Sequence, residues 1–204
     1  MNHKRAAIRK FSHAAQSAKP SRAGLPGGFF MTDSARLENP AAIIDALPPG
    51  IGVIIRHFGQ ANARAEAVDL VKQCVDTQRK VLIAADPDLA NGTGADGVHW
   101  PFRLYRQAAR FETKFGISTM SVHNSEEFRR AHQAGVDALI VSTVFKSDSP
   151  SARAPMGLMR FASIARATEL PVYALGGIDV RTAQRVARFG GFASVSGFGS
   201  IVES

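Results

Sequence analysis

From Gly28 onward, short apolar runs alternate with longer amphipathic stretches. The apolar runs are GFFMT (28–32), GVIIR (52–56), KVLIAA (80–85), GVHW (97–100), ISTMSV (117–122), ALIVS (138–142), PVYAL (171–175) and ASVS (193–196). They lack polar alternation, which is the pattern of strands buried on both faces. Between most of them lie segments with helical spacing: PAAIIDAL, ARAEAVDLVKQCVD, FRLYRQAARFETK, SEEFRRAHQAG, MGLMRFASIARATE and VRTAQRVARFG. Alternating strand and helix predicts an α/β fold with a parallel sheet. Eight such strands predict closure into a (β/α)8 TIM barrel. Two helices are expected to be short. DPDLANGTGAD leaves the third barely two turns, and only SIVES remains for the eighth.

The segment before the barrel is read as a separate piece, residues 1–27, with the barrel occupying 28–204. MNHKRAAIRKFSHAAQSAKP places Ile8, Phe11 and Ala15 at helical spacing and is ended by Pro20. Two readings stay open for it: an organellar transit peptide, or a helix that caps the domain. The second is preferred, because a stunted last helix leaves a wall that residues 6–16 could cover.

Composition adds little to this picture, except for charge. The net charge is +8, which raises nucleic acid as a partner. Lys4, Arg5, Arg9, Lys10, Lys19 and Arg22 supply six of those charges before residue 23, with no acid among them, leaving about +2 for the barrel. No zinc-finger spacing or aromatic-rich basic stretch accompanies them. A small anionic metabolite is therefore the expected partner, not nucleic acid. Arg181, Arg185 and Arg188 read as a solvated helix face. No apolar run approaches the roughly 20 residues that span a bilayer, so no membrane partner is expected. The single Cys74 and the lack of a secretory signal core predict a reducing, cytoplasmic setting. Cys74 itself reads as a small core hydrophobe. The oligomeric state is not legible, although a homodimer is compatible with the sequence.

Candidate chemistry gathers at the strand ends. Gly176 and Gly177 directly follow PVYAL, while Gly197 and Gly199 directly follow ASVS. In a (β/α)8 barrel the loops after strands seven and eight form the usual phosphate site. Glycine lets backbone N–H groups approach a phosphate closely and adopt positive φ. Ser196 and Ser200 can add hydroxyl donors. The competing reading is that these glycines only make turns. Arg56 ends VIIR, at the rim where functional groups collect, and its forked guanidinium matches phosphate oxygens. His123 follows strand five and is suited to proton transfer. His99 and Trp100 read as packed residues.

GADGVHW, SVHNSEEFRRAHQAGVDALIVSTVF, APMGL and PVYALGGI together resemble thiamine phosphate synthase and its relative TenI, the thiazole tautomerase. The resemblance runs from about Gly28 to Gly199. It implies a barrel that acts on thiamine precursors, most directly a transferase joining hydroxymethylpyrimidine diphosphate to thiazole phosphate with Mg²⁺ present. The alternative is a non-catalytic or TenI-like barrel that binds a phosphorylated thiamine precursor. By the same resemblance Gly157, Gly177, Ser196 and the SGFGS loop receive the thiazole phosphate. Arg56, His123 and Lys146 would be the catalytic groups, with His57, Ser147 and Ser149 as further substrate contacts.

The sequence departs from the family at the diphosphate end. The Arg-acid-Lys triplet after strand two reads Arg56, His57, Phe58. The Asn-Asp pair after strand three reads Ala84, Ala85, and the second metal-binding Asp reads Leu104. The His of the tautomerase loop reads Thr143. Alanine and leucine cannot ligate Mg²⁺, which needs hard oxygen donors. Asp86, Asp88 and Asp33 lie near enough to be ligands after a register shift, Asp86 first among them. Each also has a plain reading as a turn or helix cap. Without a metal, Arg56, His57, Lys146 and Arg153 would have to hold the leaving diphosphate.

Overall fold

Eight parallel strands close into a barrel in chain order: β1 (Gly28–Met31), β2 (Ile51–Ile55), β3 (Val81–Ala84), β4 (Gly97–Trp100), β5 (Ile117–Val122), β6 (Ala138–Ser142), β7 (Val172–Leu175) and β8 (Gly191–Ser194). The ring shuts at β1, where Gly28 faces Ile51 on one side and Phe192 on the other. This computed structural model describes residues 2–18, 24–111, 116–150 and 152–202. Lys19, Pro20, Arg22 and the end of the helix expected over 102–114 fall outside them.

The strand side chains sort into two apolar layers, which is why the runs do not alternate with polar residues. Phe29, Met31, Ile54, Leu82, Ile140 and Tyr173 form one cluster, drawn almost entirely from strands, inside the barrel. Phe30, Val53, Val81, Val98, Leu139 and Val172 join the helices in the second cluster outside it. Tyr173 is fully buried, and its hydroxyl donates to Pro26 O at 2.6 Å. Cys74 is likewise fully buried in the outer layer, with its thiol pushed up to about 12 by burial. It is a core residue, as its sequence context suggested.

The outer layer is built from α1 (Asn2–Ser17), α2 (Pro40–Ala46), α3 (Ala61–Asp76), α4 (Pro87–Thr93), α5 (Tyr105–Phe111), α6 (Ser125–Gln133), α7 (Gly157–Arg166) and α8 (Val180–Val186). Short 3-10 helices cover Phe102–Leu104 and Ser196–Ile201. The latter stands where a last α-helix would pack, so the barrel wall there needs another cover. α1 supplies it. Phe11 is fully buried, its ring 4.3 Å from that of Phe198 and 6.0 Å from that of Phe192. Lys4 Nζ donates to Val202 O at 2.7 Å.

The last strand differs from expectation. It runs over Gly191–Ser194 rather than 193–196. The Ser194 hydroxyl donates to Ile178 O at 2.6 Å and accepts the Gly197 N–H at 3.1 Å, turning the chain out of the sheet two residues early.

Candidate functional site

The turn between β7 and α8 is fixed from both sides. Gly176 and Gly177 have φ of +95° and +62°, in the left-handed region that favours glycine. A Cβ on Gly176 would sit 2.6 Å from Thr143 Cγ2, and one on Gly177 would sit 2.3 Å from Lys146 O. The turn therefore nests against the loop after β6, and the Phe145 N–H donates to Gly176 O at 3.0 Å. From the other side, Asp179 caps α8 by accepting the N–H groups of Arg181 and Thr182. The Thr182 hydroxyl reaches back to Gly177 O at 2.9 Å. Losing such a cap costs about 1 kcal/mol. Asp179→Ala should therefore lower the unfolding free energy by that amount in urea titration and loosen this turn. The N–H groups of Gly176, Gly177 and Ser196 have no acceptor among the described residues.

Two of the expected phosphate-binding amides are committed elsewhere. The Gly157 N–H donates to Val144 O at 2.9 Å, and the Gly197 N–H to Ser194 Oγ. A Cβ on Gly197 would lie 2.0 Å from Ile178 O, so this glycine serves a close approach between two loops. Gly199 is buried, and its carbonyl accepts from Val202. Ser196 and Ser200 are exposed, although the Ser200 hydroxyl donates to Gly197 O at 3.1 Å.

Across the barrel, Arg56 is held rather than free. Its Nε donates to Thr32 O at 2.7 Å and its Nη2 to Asp33 Oδ2 at 2.9 Å, with the side chain 20% exposed. Burial alone would raise the Asp33 carboxyl. The hydrogen bond from Arg36 and the charges of Arg56 and Arg36 outweigh it and hold the group below the usual carboxylate range. Asp33 thus offsets much of the charge that Arg56 could offer an anion. Below this pair, His99 is 3% exposed, with Nδ1 at 2.8 Å from Thr119 Oγ1 and Nε2 at 2.8 Å from Ser121 Oγ. Burial, and secondarily the Arg56 charge, push its pKa down to about 3, so the imidazole is neutral.

The remaining residues divide. His57 is 6% exposed; its Nδ1 accepts from the Gly59 N–H at 3.2 Å. Its Nε2 lies 3.2 Å from Asp86 Oδ2 but is poorly aligned for a hydrogen bond. It belongs to the packing around α4. Lys146 is exposed, and the Ser147 hydroxyl accepts the Ser149 N–H at 3.3 Å, which shapes that loop locally. His123 Nδ1 is held by Glu127 Oε2 at 2.9 Å, which leaves Nε2 for a partner. His123 and Arg153 line a cavity between α6 and α7.

The donor set does not fit Mg²⁺. Asp86 is the N-cap of α4: Oδ1 accepts from the Leu89 N–H at 2.8 Å, and Oδ2 from Arg64 at 3.1 Å. Burial raises its carboxyl, but these bonds and the nearby charges of Arg64 and His57 lower it further. Asp33 is engaged by Arg36 and Arg56. Ala84 ends β3 and Ala85 follows it, and Leu104 packs against the core. Among the described residues no three His, Cys, Asp or Glu side chains cluster as metal ligands would.

The family described as thiamine monophosphate synthase (TMP-TENI) matches residues 29–198. The chain belongs to this family. It is 34% identical over 100 residues to a putative thiamine-phosphate synthase 2 of Aquifex aeolicus, covering 48% of this chain and 53% of that one. With a thiamine-phosphate synthase of Chloroflexus aurantiacus it shares 29% identity, covering 82% of each chain. Several of the matched relatives are longer, and the match spans about half or less of their length. A solved thiamine phosphate pyrophosphorylase from Pyrococcus furiosus has the same fold, with a TM-score of 0.69 at 22% identity over 85% of this chain and 89% of that one.

Within this thiamine monophosphate synthase family barrel, sequence reasoning missed the His99–Thr119–Ser121 group. Its signal lay in the polar positions Thr119 and Ser121, two apart and so on one face of β5, with His99 opposite Thr119 in the β4–β5 register. No helix is long and apolar enough to cross a membrane among the described residues.

Proposed function

We propose that the barrel binds a phosphorylated thiamine precursor at its mouth, with the phosphate on the backbone after β7 and β8. The observation that carries this reading is the turn at Gly176–Gly177. It is locked by α8 and by the loop after β6, and its amides have no acceptor among the described residues. Hydrogen bonds to a charged group contribute about 1.5–3 kcal/mol each, so a few amides and hydroxyls suffice for micromolar binding. Ser196, after β8, and Lys146, in the loop after β6 that packs on this turn, are further contacts. Thiazole phosphate, with one phosphate, suits this half of the mouth.

A second reading is the full coupling reaction with hydroxymethylpyrimidine diphosphate, releasing pyrophosphate. It is favoured by Arg56, which keeps Nη1 free of any protein acceptor among the described residues. Against it stand Asp33, which offsets the Arg56 charge, and the absence of oxygen ligands at Ala84, Ala85 and Leu104. An assay with both precursors, with and without Mg²⁺, separates the two readings. Binding without product supports the first, whereas metal-dependent thiamine phosphate supports the second.

Arg56 also gives a residue-level test. A bidentate guanidinium is not reproduced by lysine. Arg56→Lys should weaken hydroxymethylpyrimidine diphosphate binding at least tenfold, about 1.4 kcal/mol. Thiazole phosphate affinity should barely change. Equal losses for both ligands in calorimetric titration would refute a two-ended site.

A further inference from the structure

The helical layer holds a cavity of about 380 Å³ between α6 and α7, beside the loop after β6. That volume lies in the range of small-molecule sites, about 300–1,000 Å³. The space exists because α7 presents small side chains, Ser163 and Ala167, to the cavity. The two helices make few contacts with one another. The floor is Val122 and Val141, each 2% exposed, and Phe128 and Ile164 wall it from the two helices.

The rim has the opposite character. Arg153 and Arg160 both line the opening and are exposed, and neither guanidinium has an ion-pair partner among the described residues. His123 lines it too. Its ring is fixed through Nδ1 and its backbone N–H to the same Glu127 oxygen, at 2.9 and 2.8 Å. Such a carboxylate fixes the orientation of the imidazole and leaves Nε2 as the polar atom available to a ligand. An apolar floor under two unpaired guanidiniums favours one kind of occupant.

We propose that this cavity is a second binding site, for a small molecule with an apolar or aromatic body and a single anionic group. The body would cover Val122, Val141 and Phe128, and the anion, whether carboxylate, sulfonate or phosphate monoester, would sit between Arg153 and Arg160. Guanidinium forks match such oxyanions well. The site shares no residue with the turns at Gly176–Gly177 and Ser196–Ser200, although Thr143 both lines it and packs against Gly176.

The probe for the test is 8-anilinonaphthalene-1-sulfonate, an aromatic sulfonate whose fluorescence rises in apolar surroundings. One molecule per chain should bind the intact protein. The double variant Arg153→Ala, Arg160→Ala should bind it at least tenfold more weakly. Ser163→Trp, which places a large ring into the cavity from α7, should abolish the same binding. N-phenyl-1-naphthylamine, which lacks the sulfonate, should bind more weakly than the sulfonate and be indifferent to the arginine changes. Circular dichroism confirms that each variant is folded. Unchanged sulfonate binding in either the arginine pair or the plugged variant overturns the proposal.

Discussion

Gly177→Ala is expected to lower the unfolding free energy by about 3 kcal/mol and to weaken phosphate binding at the mouth at least tenfold. Two costs add. The left-handed conformation at φ +62° costs a Cβ-bearing residue about 1–2 kcal/mol. The new methyl would stand 2.3 Å from Lys146 O and 2.8 Å from Phe145 Cβ, so one of the nested loops must move. Overpacking of this kind costs a further 1–3 kcal/mol, roughly. The control is Gly59→Ala. Gly59 has φ +77° but nothing within 4 Å of its would-be Cβ. It should therefore show the backbone cost alone and leave phosphate affinity unchanged. Urea titration of both variants measures the difference; equal losses would mean that the loops after β6 and β7 do not support one another.

The second large effect is a loss of stability in mild acid, traceable to His99. Folded His99 takes up a proton only near pH 3, because it is buried and lies near Arg56. Unfolded, it does so near pH 6.5, roughly. Between those values the unfolded chain binds more protons, so stability is complete above about pH 6.5 and falls as the pH drops. One such proton gives a limiting slope of about 1.4 kcal/mol per pH unit. The depressed carboxyls of Asp33, Asp86 and Asp179 also stabilise the fold, but their contribution is present above about pH 4 and is lost only below it. The window from about pH 4.5 to 6.5 therefore separates the histidine from these carboxyls. Urea titrations across it should show the slope in the wild type and a flat response in His99→Gln. A slope that persists in the variant would place the titrating group elsewhere.

The fold was legible because its signal is repetitive. Eight non-alternating apolar runs require two-sided burial, and only a closed parallel barrel with a helical coat gives that to every strand. The role of α1 was legible from Phe11 and from the stunted last helix, which together implied an uncovered wall. The site was legible only where backbone conformation carries it. A pair of glycines after a strand signals positive φ and close approach, and Gly176–Gly177 has both. Gly157, offered by the family resemblance, and Gly197, offered by its place after a strand, have amides bonded to Val144 O and Ser194 Oγ, which sequence does not reveal. Side-chain pairing was the other blind spot. Arg56 reads as an available cation until Asp33, 23 residues away, is brought beside it. Asp86 reads as a metal ligand or a cap, and in the fold its Oδ1 accepts the α4 N–H at Leu89, as a cap does. Such partners are set by tertiary packing, not by spacing along the chain.

The proposed role of this thiamine monophosphate synthase family barrel is to hold a single phosphate on the turn after β7, without needing a metal. Calorimetric titration with thiazole phosphate in chelator-treated buffer tests it most directly. One ligand per chain should bind in the micromolar range. The affinity should be indifferent to added Mg²⁺ and fall at least tenfold in Gly177→Ala. No binding heat, or equal affinity for the thiazole alcohol that lacks the phosphate, would contradict it.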